Sequence, residues 1–251
     1  MTALVDHPSG AFASLPASTT FSNGLVVTPG HRLAEWALAE PLPLRAGLDR
    51  VGAELAARGL DWEALAGVDL RSPEPFTPDG FAEFNAGYVA LLQGYYPLAD
   101  GALPPYARTN VAPVDVYLTE PCIRAVQIVE PHPGASGDFV LSGVAEVTAS
   151  VTPEHVIAFG DTTPDGLRAK VDHVVAVLAE RVGQLGLPLD AASDIDLYTA
   201  RPLDWLETVV GATFAAAGRF GVHRWVARPP VTDLEFEMGC KRISNRLTLD
   251  A

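Results

Sequence analysis

The chain has 251 residues, 48% of them hydrophobic and 19% charged, which is ample material for a packed core and argues against extended disorder. Its 31 acidic residues outnumber 17 basic ones, and a formal net charge of −14 opposes docking on nucleic acid or anionic lipid. No apolar run approaches the roughly 20 residues that span a bilayer, and the N-terminus has neither the basic start nor the apolar stretch of a signal peptide, so a cytoplasmic location is expected.

The stretch TTFSNGLVVTP (19–29) reads as a strand. Leu44, Leu48, Val51 and Leu55 then recur at i, i+4, i+7 and i+11, placing four large apolar side chains on one face of an amphipathic helix. A Gly-Leu pair at 59–60 closes that pattern, and a short loop leads to an apolar-Asp-apolar strand, Val68-Asp69-Leu70. Phe81, Phe84 and Tyr88, at i, i+3 and i+7, mark a second helix. GYYPLADGALPP (94–105) has the composition of a surface loop. Two β-rich stretches, YARTNVAPV (106–114) and CIRAVQIV (122–129), close this half, and VEPHPGASG (129–137) reads as a linker.

The order then repeats. DFVLSGVAEV (138–147) and HVIAFGDT (155–162) read as strands, and Leu167, Val171, Val174 and Leu178 reproduce the helical spacing. The Gly-Leu pair returns at 186–187, and Ile195-Asp196-Leu197 follows Val68-Asp69-Leu70 by 127 residues. Leu203, Leu206 and Val210 mark the second helix of this half, before VHRWVARPP (222–230) and LEFEMGCKRI (234–243). The expected fold is therefore α+β: two tandem modules, 1–131 and 132–251, each a mixed sheet backed by two helices in the order β-β-α-β-α-β-β.

The six histidines show no HxH, HxxxH or His/Cys cluster with metal-ligand spacing, and no GxSxG elbow, phosphate loop or dinucleotide fingerprint occurs. Neither a metal nor a cofactor is expected. Cys122 and Cys240 read as small buried residues and not as a disulfide.

The element order, together with Tyr106-Ala107-Arg108-Thr109-Asn110-Val111 and Leu234-Glu235-Phe236-Glu237, resembles the RidA (YjgF-type) family. That family carries an (P)AR(S/T)xV pattern and, about a dozen residues on, an acidic strand of the (V/I)EIEA type. Its fold is the chorismate mutase-like one. The two matching elements lie in different halves here. In the second half Arg224 stands at the arginine position and Glu237 at the glutamate position; in the first, Arg108 is kept and Arg124 falls at the glutamate position. Phe21-Ser22-Asn23 is the nearest echo of the family's N-terminal GPYSQA-like motif, with Phe in place of Tyr.

The resemblance implies a metal-free hydrolase of reactive imines and enamines, working in clefts between modules of a homotrimer on a small carboxylate-bearing metabolite. On this expectation Arg224 anchors the substrate carboxylate through paired charge-assisted hydrogen bonds, and Glu237 positions the attacking water. Arg108, Arg124, Phe139 and Ser142 are the accompanying substrate-binding positions. Two other readings stay open: a chorismatase-like hydrolase, since chorismatases also pair two such modules, and a non-catalytic metabolite-binding protein.

Overall fold

A computed structural model describes residues 3–115, 117–134 and 137–250. In chain order the elements are β1 (Val5–Asp6), β2 (Phe12–Leu15), β3 (Gly24–Val27), β4 (His31–Pro43), α1 (Leu44–Ala57), β5 (Leu65–Arg71), α2 (Pro78–Leu92), β6 (Ala107–Pro113) and β7 (Cys122–Pro131). There follow β8 (Phe139–Leu141), β9 (Val144–Ala145), α3 (Pro164–Gln184), β10 (Asp194–Tyr198), α4 (Leu206–Thr213), α5 (Ala216–Phe220), β11 (His223–Trp225), β12 (Ala227–Arg228), β13 (Glu237–Arg242) and β14 (Asn245–Leu249). Among the described residues no helix is long and apolar enough to cross a membrane.

The strands form two mixed sheets. One runs β1-β2-β3-β8-β13-β10-β11, with β9 also pairing β13; the other runs β12-β6-β5-β7-β4-β14. In each, an Asp-bearing strand is parallel to the strand after its helix, β5 to β6 and β10 to β11, which is the β-α-β crossover expected of both halves. The outer strands cross the 131/132 division. β3 pairs with β8, β12 with β6, and β14 with β4, so each half of the chain completes the other's sheet. Of the linker read at 129–137, Ala135 and Ser136 lie outside the described residues.

Each sheet packs one face on its own helices. Leu48, Val51 and Leu55 of α1 and Tyr88 and Leu92 of α2 bury against Trp36, Val68, Leu70 and Val126. Leu167, Val171, Val174 and Leu178 of α3 bury against Phe139, Leu141, Leu197 and Met238. Each such side chain contributes about 1.5–3 kcal/mol on leaving water. Phe12, Leu25, Val27 and Val140 of one sheet meet Leu33, Ala107 and Val129 of the other in a third core between the sheets. Thr77 and Thr163 cap α2 and α3 by accepting the Gly80 and Gly166 N–H groups, each followed by a proline suited to the first turn.

One reading of the sequence is corrected. HVIAFGDT (155–162) is not a strand: only Val156 makes an isolated bridge, to Val147, and the chain then turns through Ala158 at φ 47°. HRLAEWALAEPLP (31–43), by contrast, is the longest strand of the fold. Cys122 and Cys240 are free and buried.

Candidate active site

The two halves are joined where three short segments interlock. The Arg108 N–H donates to Ser142 Oγ at 2.9 Å, Ser142 Oγ donates to the Ser22 carbonyl at 2.5 Å, and the Gly143 N–H donates to the Arg108 carbonyl at 3.1 Å. The Ser22 N–H donates in turn to the Tyr106 carbonyl, 2.9 Å away. The break between β8 and β9 at Ser142-Gly143 thus hydrogen-bonds the edge of β6.

On that break rests the carboxyl group of Glu237, the first residue of β13, at its pairing with Ala145 of β9. A Cβ on Gly143 would collide with Glu237 Oε1, so the missing side chain is what lets the carboxyl sit there. Glu237 is 4% exposed. Burial pushes its carboxyl up to about 8, against the pull of the Arg108 guanidinium and then that of Arg71. At neutral pH this carboxyl holds its proton and can give it up.

Arg108, also 4% exposed, turns its guanidinium towards α2. Nη1 donates to Asn85 Oδ1 at 2.7 Å, and the cation lies 4.5 Å from the ring centre of Phe21, 5.3 Å from that of Tyr88 and 5.6 Å from that of Phe81. Burial lowers its pKa to about 10, which leaves it charged near neutrality. Among the described residues no carboxylate lies within 4.0 Å of it. Asn110, two residues further along β6, accepts from Ser72 Oγ at 2.9 Å, but its Nδ2 is buried without a partner, as is the Tyr88 hydroxyl. Such unmet donors cost about 1–3 kcal/mol each when left dry, so they mark where a polar ligand can be received.

Beyond Tyr198, which stands opposite Glu237 on β10, lies a second polar region between the sheets. Lys241 Nζ is 2.6 Å from Glu35, 3.5 Å from Asp196 and 3.7 Å from Asp69, while Arg124 holds Asp69 at 2.8 Å. Arg246 pairs with Asp194. Trp225 Nε1 donates to Asp196 at 2.8 Å, and His223 Nδ1 lies 3.2 Å from the same oxygen. Burial opposes ionisation of Asp196, yet Lys241 and these two hydrogen bonds hold it below the usual carboxylate range. The 470 Å³ cleft here is lined by charges that are mostly paired with one another, although Arg124 Nε is buried without a partner. A 660 Å³ cavity elsewhere, between the N-terminal strands and the 94–105 loop, is walled by Trp62, Tyr95, Tyr96 and Leu103 and edged by Asp6, Asp61 and Glu63. No Lys or Arg lines it, which makes it unsuited to a carboxylate.

Arg224 is not beside Glu237. It pairs with Leu197, a residue of the helix-side core, and its guanidinium donates to the Arg201 carbonyl at 3.1 Å and reaches Glu207 of α4 at 3.5 Å. Glu237 pairs with Tyr198, one residue on and therefore on the opposite face. Ladder register explains the misreading. Arg108 pairs with Val68, and the equivalent of Val68 is Ile195, whereas Arg224 stands at the position that Asn110 fills in the first half. Likewise the counterpart of Glu237 is Cys122, which pairs with Arg71, because a bulge in β7 shifts Arg124 into the ionic network. Phe139 is buried in the α3-side core. Of the residues expected from the sequence, the fold brings together Arg108, Ser142 and Glu237. Arg71, Asn85, Tyr88 and Asn110 were not anticipated, and their only signal in the sequence was their place on the same strands and helix.

An α+β fold of two mixed sheets, with Arg108 of one and the buried Glu237 carboxyl of the other both set against Gly143, is what the chain presents. The chain belongs to the 2-aminomuconate deaminase CnbZ family, whose model matches residues 4–247. It is 34% identical over 242 residues, 94% of each chain, to 2-amino-5-chloromuconate deaminase of Comamonas testosteroni. Among solved structures it is similar to a chorismatase, with a TM-score of 0.51 and 13% identity over 91% of this chain and 80% of that one. That likeness extends to the fold alone.

Proposed function

We propose that the protein is a hydrolytic deaminase acting on a small carboxylate-bearing enamine of the 2-aminomuconate type, at a site built from Arg108 of one half and Glu237 of the other. The observation that carries this reading is the buried Glu237 carboxyl, raised to about 8 and seated on Gly143 in the field of Arg108. Membership of the deaminase family supports the reaction type, and the named relative acts on a 2-aminomuconate.

Arg108 holds the substrate carboxylate by charge-assisted hydrogen bonds from its free guanidinium N–H groups. Glu237, protonated, gives its proton to the enamine carbon, and the nitrogen lone pair moves in to form the C=N bond of an iminium ion. The carboxylate so produced removes a proton from water as the oxygen attacks the iminium carbon. Glu237 then returns that proton to the nitrogen of the carbinolamine. The C–N bond breaks, ammonia leaves, and transfer of the hydroxyl proton to the Glu237 carboxylate completes the 2-oxo product and restores the acid. One group serves as acid, base and acid again, which requires a pKa near the working pH. Homotrimeric assembly and a cytoplasmic location remain part of this proposal.

The test is ammonia release from freshly generated 2-aminomuconate by the wild type and by Glu237→Gln. Turnover by the first and a loss of about 100-fold or more in the second is the expected result for removal of a general acid and base. Equal rates would overturn the assignment of Glu237.

A further inference from the structure

We infer that Arg71 is a second anion-holding residue of this site, on the Tyr198 side of Glu237, and that it selects substrates bearing a carboxylate at each end. The inference rests on the deaminase reading for the place of the reacting group.

Arg71 closes β5 and is 5% exposed. Its Nη1 donates only to the adjacent Leu70 carbonyl, at 2.8 Å, and its Nη2 is buried with no partner. Among the described residues no carboxylate comes within 4.0 Å of it. Asp69, on the same face of β5, is held by Arg124 at 2.8 Å and approached by Lys241 at 3.7 Å. The guanidinium is instead held over two stacked rings, 5.7 Å from the centre of Tyr198 and 5.6 Å from that of Trp225. Tyr198 is the ladder partner of Glu237, so this cation stands beside the acid, and its field is felt there.

Charge balance gives the ligand class. Two buried guanidinium groups exert their fields on Glu237, and among the described residues neither has a carboxylate within 4.0 Å. A buried unpaired cation is strongly disfavoured. A dianion removes both deficits at once, a monoanion only one. The free Nη2 of Arg71 and Nδ2 of Asn110 are unspent donors suited to carboxylate oxygens.

The test is calorimetric titration of the full chain with cis,cis-muconate, a dianion with no amino group to lose, and with sorbate, a six-carbon diene with one carboxylate. The wild type is expected to bind muconate about tenfold or more tightly than sorbate, the value of one charge-assisted carboxylate contact. Arg71→Met should erase that ratio by weakening muconate binding, and Arg71→Lys should restore part of it. An unchanged ratio in a folded Arg71→Met chain, or no preference in the wild type, overturns the inference. If Arg71→Met does not fold, the wild-type ratio and Arg71→Lys decide it. A wild type that prefers muconate yet releases no ammonia from 2-aminomuconate would sink the deaminase reading and leave the anion site standing.

Discussion

Arg108 and Glu237 meet through Gly143: the Gly143 N–H donates to the Arg108 carbonyl at 3.1 Å, and the vacant side-chain position of the same glycine is filled by Glu237 Oε1. The arginine comes from the first half of the chain and the carboxyl from the second. A single glycine therefore sets their spacing, and Gly143→Ala must move one of them. Because Glu237 is anchored in β13, the expected result is a loss of stability of about 1–3 kcal/mol in chemical denaturation from overpacking. Turnover should fall by more than stability predicts.

The pH dependence has a definite sign. Burial raises the Glu237 carboxyl from the usual range to about 8, so the folded chain binds this proton more tightly than the unfolded one. Relative to Glu237→Gln, wild-type stability should be unaffected below the unfolded carboxylate range, fall as pH rises from about 4.5 towards 8, and level off above it. Denaturation midpoints of the two proteins across that window check this. The rate of the acid-dependent step should likewise decline above pH 8, where the carboxyl ionises.

Lys170 and Glu146 are 1% and 0% exposed and 3.3 Å apart, and Glu146 also accepts the N–H groups of Glu235 and Phe236, just before Glu237. Lys170→Met leaves that carboxylate buried without its cation. The expected cost is about 3–5 kcal/mol, measurable by urea denaturation.

Much of the fold was legible because the helices show one buried face each. The spacing of Leu48, Val51 and Leu55 and that of Val171, Val174 and Leu178 correspond to α1 and α3 as observed. β4 was not legible for the opposite reason. Ala34 and Trp36 face the helices while Leu33 and Glu35 face the other sheet, so both sides are buried and the alternation that marks a strand disappears. Arg108, Ser142 and Glu237 could be picked out as residue types. Their pairing could not, because it depends on ladder register and on strands exchanged between halves: Arg224 stands two residues along its strand from the position equivalent to Arg108, on the helix side of its own sheet.

In the proposed mechanism Arg108, and not Arg224, works with Glu237. The most direct test compares kcat/KM for 2-aminomuconate in the wild type, Arg108→Met and Arg224→Met. Arg224 is exposed and makes one weak ion pair with Glu207, so its removal should cost less than about 1 kcal/mol of stability and leave turnover near the wild-type value. Arg108→Met should lower kcat/KM by about 100-fold, the loss expected for a buried charge-assisted contact to the substrate. Equal losses in the two variants, or a loss confined to Arg224→Met, would contradict the account.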